Sequence, residues 1–571
     1  MTSLRTLTPT ARALAIALGL AGPISMAHAV LPSAEAVVNF TAALPAGGNG
    51  ARPSTPLTEA ADGYLYSRTA TGGGTVLNSQ QGGNSAVFFR LKNDATGFEV
   101  LDSGASTVAP TSTRWLAASD GHLYSPGPSS GLIQRYRHGA TTGWETFHTG
   151  SSGFVTSILE ADLQFYLTAG ASTLASLSLD GTQAIPLYTI TNPTLEGGTP
   201  HYMVRGSDGR LYGLHTTGGS GFAGTLFRMD RDGNGYQVLQ NFNALTTGYQ
   251  KINAVRPLVE AGDGKLYGIT YDGGGGDVSG GAIYRINKDG SDFELIHGFA
   301  SNTDRAGYNP NTVLLGRDGH IYVSTLNGGA NGGGTIVRYR IDDGVLELLY
   351  TFEALTGPAQ NNIWTNPTSG ATATVNAAIN GGGNAAGRTP YHLMQASNGQ
   401  FYGVAQRGGS HGWGSVFRFD PGDEVAAGSM LNDVPAELLN FGINVAHDPS
   451  ATLALGQSVN LWWNTKGVAS CAGTSTEPGS TWIGRQSAKA TSSTTAASVK
   501  PGRAGTWTYT LTCQPQNPAY PPVSAAVSLT VVPTVADGID VGNGGGGGAL
   551  AWLLLPLMGL ALWARRARRH P

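Results

Sequence analysis

The sequence predicts an all-β protein: a seven-bladed β-propeller, then an Ig-like β-sandwich and a C-terminal apolar helix. Three observations carry that expectation. One five-residue unit recurs seven times between residues 62 and 402, strand-like segments of different composition follow Phe441, and an apolar run lies near the end of the chain. Of 571 residues, 84 are Gly and 12% are charged, against about 7% and 25% in ordinary soluble domains. At 40% hydrophobic residues the chain still has material for a large core. A formal charge of -3 without a basic stripe argues against nucleic acid as a partner. Two cysteines exclude a disulfide scaffold and multi-cysteine metal modules.

Arg5 and Arg12, the apolar run from Ala13 to Ala21 and Ala27-His28-Ala29 read as a secretory signal peptide. Signal peptidase is then expected to cut after Ala29, and the chain to be exported across the inner membrane. A signal anchor or a core helix is the alternative, but the run is shorter than the ~20 residues of a span.

From about residue 30 to 441 the sequence repeats itself. Asp62-Gly63-Tyr64-Leu65-Tyr66 returns as Asp120 to Tyr124, Asp208 to Tyr212, Asp263 to Tyr267 and Asp318 to Tyr322, with weaker copies at Asp162 to Tyr166 and Asn398 to Tyr402. Each unit has the order of a four-stranded blade, and the tyrosine intervals scatter around a blade length of about 40 to 50 residues. A first apolar strand leads to an Asp-Gly or Asn-Gly signal, which predicts a two-residue hairpin. A strand ending in Leu/Ile/Phe-Tyr, a glycine-rich loop, a strand such as Thr225 to Met229 and a last strand such as Tyr236 to Phe242 complete the unit. A single blade leaves its faces bare, so seven should stack around an axis; an open solenoid or two smaller sheet domains is the alternative. Two segments compete to close the ring: Val37-Val38-Asn39-Phe40 and Leu438-Leu439-Asn440-Phe441 both resemble the last strand of a unit.

These units, Asp-Gly-x-Leu-Tyr, Thr/His-x-x-Gly-Gly and Gly-Thr-x-Phe-Arg, resemble the GloVer tandem repeat of exported bacterial proteins. That resemblance implies a C-terminal anchor and supplies no catalytic residues to carry over. Units two and three lack the Gly-Gly loop.

Internal copies test each position for chemistry. The residue after Asp-Gly varies, so His122 and His320 are expected at hairpin tips and not as metal ligands. Arg90, Arg228, Arg285, Arg338 and Arg418 recur on the third strand, with Arg135 as a sixth. They are read either as a ring of guanidinium groups for an anionic ligand such as an acidic glycan, or as partners of Asp and carbonyl groups in neighbouring strands; the second is preferred. The glycine runs do not continue into a phosphate-binding Gly-Lys-Ser/Thr. The Asp230 and Asn287 turns lack the Glu at position twelve of a calcium loop. No His-Glu-x-x-His, nucleophile elbow or sialidase Asp box occurs. No cofactor, metal site or catalytic residue is therefore expected. Residues 358–388, with Ile363 and Trp364, read as a long loop insertion that could carry a binding site.

Residues 442–534 have the strand content and size of an Ig-like sandwich. Leu453 to Leu455, Val459 to Trp463, Trp507 to Cys513 and Val527 to Val532 are its expected strands, and the region resembles bacterial Ig-like modules, which serve as spacers or adhesion units. Cys471 and Cys513 are expected to bond, because disulfides persist in exported domains; free thiols are the alternative. The late position of the first Cys argues against the usual inter-sheet bond.

After a glycine-rich linker, 535–548, come Gly544, Gly545, Gly546, Gly547 and Gly548, an apolar segment, 549–563, and a basic tail, 564–571, with Arg565, Arg566, Arg568 and Arg569. Fifteen apolar residues flanked by arginines read as a short transmembrane helix with a cytoplasmic basic end. In this order the three features resemble the GlyGly-type sorting tails of Gram-negative bacteria. That family implies rhombosortase cleavage and type II secretion, with display at the cell surface; a permanent inner-membrane anchor is the alternative. The expected protein is thus an exported, non-enzymatic binding or adhesion protein for a glycan or protein ligand. A secreted carbohydrate-active enzyme is the alternative, although no carboxylate pair stands out.

Overall fold

The computed structural model describes residues 30–533 apart from 42–48, 73–85, 103–113, 138–142, 151–152, 171, 244–257, 274–279, 301–303, 354–361, 366–371, 376–385, 424–428, 430, 432–434, 445, 487–495 and 516–519. Ala29, the five sorting glycines, the apolar segment 549–563 and the tail arginines lie outside the described residues. The chain is all-β: among the described residues helix is confined to the single turn Pro193–Glu196, and no helix is long and apolar enough to cross a membrane.

The pentads sit where two antiparallel strands meet. Each tyrosine lies on the second strand of a four-strand meander, and these meanders follow one another as separate sheets. In the first sheet the leading strand is split into Ala51–Pro53 and Thr58–Glu59, both paired with Tyr64–Thr71. The sheet around Tyr402 is completed from the other end of the chain. Ser33–Asn39 pairs antiparallel with Ser415–Asp420, so the N-terminal segment supplies its fourth strand. The competing segment goes elsewhere: Glu437–Ile443 pairs with Val459–Lys466, which moves the domain boundary from after Phe441 to before Glu437.

Alternation along each strand turns apolar side chains to both faces, and neighbouring sheets share what they bury. One core joins the sheets of Tyr66 and Tyr136, the next those of Tyr124 and Phe165, and the sharing continues sheet by sheet. The last core unites Val38 and Tyr402 with Leu65 and Phe89 of the first sheet. The order of shared cores is cyclic. Polar latches reinforce it where one sheet's first strand ends beside the preceding sheet's hairpin. Glu59 accepts the Ser397 N–H at 2.6 Å, Glu160 the Ser119 N–H at 2.7 Å and Glu260 the Ser207 N–H at 2.7 Å.

The hairpins are not the two-residue turns expected. In the first, Gly63 N–H bonds to Ala60 O and Ala60 N–H to Tyr64 O, which makes a three-residue loop. Only Gly63 takes positive φ, at 76°, while Asp62 stays out of that region and spends its carboxylate on the turn. The third sheet reverses the rule. It lacks the Gly, and Asp162 and Leu163 both take positive φ in a true two-residue turn between Ala161 and Gln164.

Four first strands begin alike: Arg52, Thr199, Asn309 and Thr389, each followed by Pro, have φ of 55°, 53°, 55° and 59°. A residue before proline avoids the helical region, and this left-handed entry bends the chain into the strand. A positive-φ Gly precedes each; at Gly307 a Cβ would lie 2.0 Å from Thr325 Oγ1.

The insertion expected as a loop carries a hairpin, Asn362–Thr365 against Thr372–Val375. After it and the seventh meander, two sheets, one of three strands and one of five, enclose a common core containing Trp463, Trp482, Tyr509 and Leu511. Cys471 and Cys513 are bonded and face each other on adjacent strands of the five-stranded sheet, so the bond lies within one sheet.

Candidate functional site

The recurrent arginines are not gathered at a common site. Each stands in register between the repeat tyrosine of the second strand and a Glu or Gln of the fourth: Tyr66, Arg90 and Glu99 form one row, and Tyr322, Arg338 and Glu347 another. Arg90 donates to Glu99 at 2.9 Å, Arg135 to Glu145 at 2.8 Å, Arg285 to Glu294 at 2.8 Å and Arg338 to Glu347 at 2.8 Å. Arg418 is bonded to Glu35 of the N-terminal strand. Arg228 has Gln237 Oε1 at 2.8 Å and Lys288 O at 3.1 Å.

The tyrosine end of the row is closed as well. Tyr66, Tyr124, Tyr212, Tyr267 and Tyr322 donate their phenols to the Asp of their own pentad at 2.7 to 2.8 Å. The same Asp takes the N–H two residues on, as Asp62 does from Tyr64 at 3.1 Å. Burial and the Asp120 carboxylate push the Tyr124 phenol up to about 12. Asp, Tyr, Arg and Glu therefore line up as a row of hydrogen-bonding partners across three strands, in which each guanidinium is taken up by groups of its own array. The partner Glu was missed from sequence although it is legible: it, or Gln237, follows its arginine by nine residues in four units.

A different set of side chains is left for a ligand. The first strands of the sheets line two adjoining cavities of about 410 and 430 Å³, which share Leu57, Arg114, Tyr202, Val204 and Met394. That is within the size range of small-ligand sites. Register orders their walls. The first-strand residues paired with the repeat tyrosines are Thr58, Leu116, Leu159, Val204, Val259, Leu314 and Met394. One residue earlier the column is apolar in every sheet, from Leu57 and Trp115 to Val313 and Leu393, and these side chains enter the inter-sheet cores. Two residues earlier the column changes character. It reads Pro56, Arg114, Ser157, Tyr202, Thr312 and His392 among the described residues, and each of these lines one or both cavities.

Most charged groups on the walls are already satisfied. Arg205 pairs with Asp162 at 3.0 Å, Glu260 with Lys288 at 2.6 Å, and Glu59 accepts from Ser397 and Asn93. Arg114 is exposed and, among the described residues, has no hydrogen bond or ion pair. The Thr312 hydroxyl accepts the Leu393 N–H at 3.3 Å and keeps its own proton to donate. Among the described residues no group of three or more His, Cys, Asp or Glu is placed to hold a metal ion.

Residues 164–386 match the Gloeobacter/Verrucomicrobia repeat. The match runs from within the third meander through the sixth and most of the insertion, and supports a tandem repeat of this type over those residues. No curated protein matches the chain. Similar solved structures include the extracellular domain of a putative hybrid two-component system from B. thetaiotaomicron, 13% identical with a TM-score of 0.38, over 87% of this chain and 57% of that domain. A catalytically inactive virginiamycin B lyase from Staphylococcus aureus is 12% identical with a TM-score of 0.39, over 68% of this chain and 99% of that enzyme. YCF48 from Cyanidioschyzon merolae is 10% identical with a TM-score of 0.39, over 67% and 98%.

Proposed function

We propose that the protein is an exported, non-enzymatic binding protein: a seven-bladed β-propeller that holds a small ligand, or the end of a larger one, in its central cavity. One observation carries this reading. The first strands of successive sheets converge on two adjoining cavities that share Arg114 and Tyr202, while the recurrent carboxylates, phenols and guanidiniums of the array are bonded to one another. The two-sheet unit from Glu437 onward acts as an Ig-like spacer stiffened by the Cys471–Cys513 bond. Processing after Ala29 and at the glycine-rich tail, by signal peptidase and a rhombosortase, would release the protein or display it at the surface.

The test is a screen of the full chain against small-molecule and glycan libraries, with product analysis of every hit. Saturable binding without turnover is the expected result; product formation would overturn the reading in favour of a carbohydrate-active or other enzyme. Intact-mass measurement of the exported protein tests the processing step, which retention of residues 549–571 would contradict.

A further inference from the structure

Four of the six described residues in the column that lines the cavity can donate a hydrogen bond to a ligand. Arg114, Ser157, Tyr202 and Thr312 all carry N–H or O–H donors, and Arg114, the one charged residue of the four, has no partner among the described residues. Against this polar layer stand aliphatic walls, Leu57, Val204, Leu314 and Met394 among them. The carboxylates at the cavity, Glu59 and Glu260, are bonded to Ser397 and Asn93 and to Ser207 and Lys288. Glu260 is thus neutralised, and the oxygens of Glu59 are occupied by the preceding sheet's hairpin.

We infer that the cavity takes a small monocarboxylate with an apolar body, its carboxylate on Arg114 and the neighbouring hydroxyls and its hydrocarbon against the aliphatic wall. One uncommitted guanidinium matches one negative charge, and a planar fork suits a carboxylate. A polyanion such as a phosphate ester would need further cations, and Arg205 is already neutralised by Asp162 at 3.0 Å. A neutral apolar ligand would leave Arg114 with nothing to do. Variation supports the same assignment. In an array, a position that serves packing repeats from sheet to sheet, as the adjacent apolar column does, whereas the column of Arg114 differs in every sheet described.

The inference rests on the reading of the cavity as a binding site, and the experiment separates the two. Decanoate, decan-1-ol and decyltrimethylammonium are titrated calorimetrically against the full chain, its Arg114→Gln variant and its Ser157→Ala variant. Decanoate should bind saturably and at least tenfold more tightly than the alcohol, with the ammonium weakest. Arg114→Gln should bring decanoate to the level of the alcohol, and Ser157→Ala should weaken it by a few-fold. Equal binding of acid and alcohol, indifference of decanoate to Arg114→Gln, or no saturable decanoate binding would overturn the carboxylate assignment. Saturable decan-1-ol binding in any of these cases would leave the binding-protein reading standing. Chemical conversion of bound decanoate would overturn that reading while keeping the assignment of Arg114.

Discussion

Two sets of arginines in the same array have opposite fates. Arg285 recurs in nearly every sheet, lies between Tyr267 and Glu294, and donates to Glu294 at 2.8 Å. Arg114 has no counterpart, lies two residues ahead of the first strand Leu116–Ala117 where it lines the cavity, and has no partner among the described residues. Both are guanidiniums within the same array of four-strand sheets. Recurrence marks the group that the scaffold consumes, and departure from recurrence marks the one left over for a ligand.

The comparison can be broken from the scaffold side first. Glu347 is fully buried and holds both Arg338, at 2.7 Å, and Arg340, at 3.0 Å. Removing one member of a buried charge group strands the others, so Glu347→Ala should lower unfolding stability by about 3–5 kcal/mol in a denaturant titration. A second effect is pH-dependent. Burial lowers His215 to about 3, and its ring lies on Phe227 with Nδ1 2.8 Å from Thr225 Oγ1. Between that value and the ordinary 6.5 the unfolded chain binds the proton and the folded chain does not. The His215 contribution is therefore complete above about pH 6.5 and is lost as pH falls toward 3, with about 3 kcal/mol gone by pH 4. The difference in stability between wild type and His215→Gln, followed from pH 7 to 4, should shrink accordingly. Third, Asp208→Ala removes the acceptor of the Tyr212 phenol and of the Arg210 N–H. The expected loss is about 1.5 kcal/mol, with binding unchanged. Smallest of all, Arg114→Gln should change stability by less than about 0.5 kcal/mol, as for an exposed side chain outside any network.

How far the sequence carried these conclusions differs by layer. The meanders were legible because Asp, Leu and Tyr do the same physical work in each copy. Their turns were misread as two-residue loops, since Asp-Gly signals a turn without saying whether the Asp carboxylate or its backbone makes it. The closing strand was legible in a finer pattern. Gln237 and Phe242, Glu294 and Phe299, and Glu347 and Phe352 keep one separation that Glu35 and Phe40 share and Glu437 and Phe441 miss by one residue. The cavity was not seen, although Pro56, Arg114, Tyr202, Thr312 and His392 all stand at one offset before their repeat tyrosine. Attention to what recurs hides a column whose signal is that it varies. The third sheet falls out of that alignment by one residue because its Asp162-Leu163 turn is shorter.

The most direct test of the account titrates decanoate against Arg114→Gln and Arg285→Gln side by side with wild type. The account predicts at least tenfold weaker binding for Arg114→Gln and unchanged affinity for Arg285→Gln. Weakened binding in Arg285→Gln with unchanged binding in Arg114→Gln would contradict it.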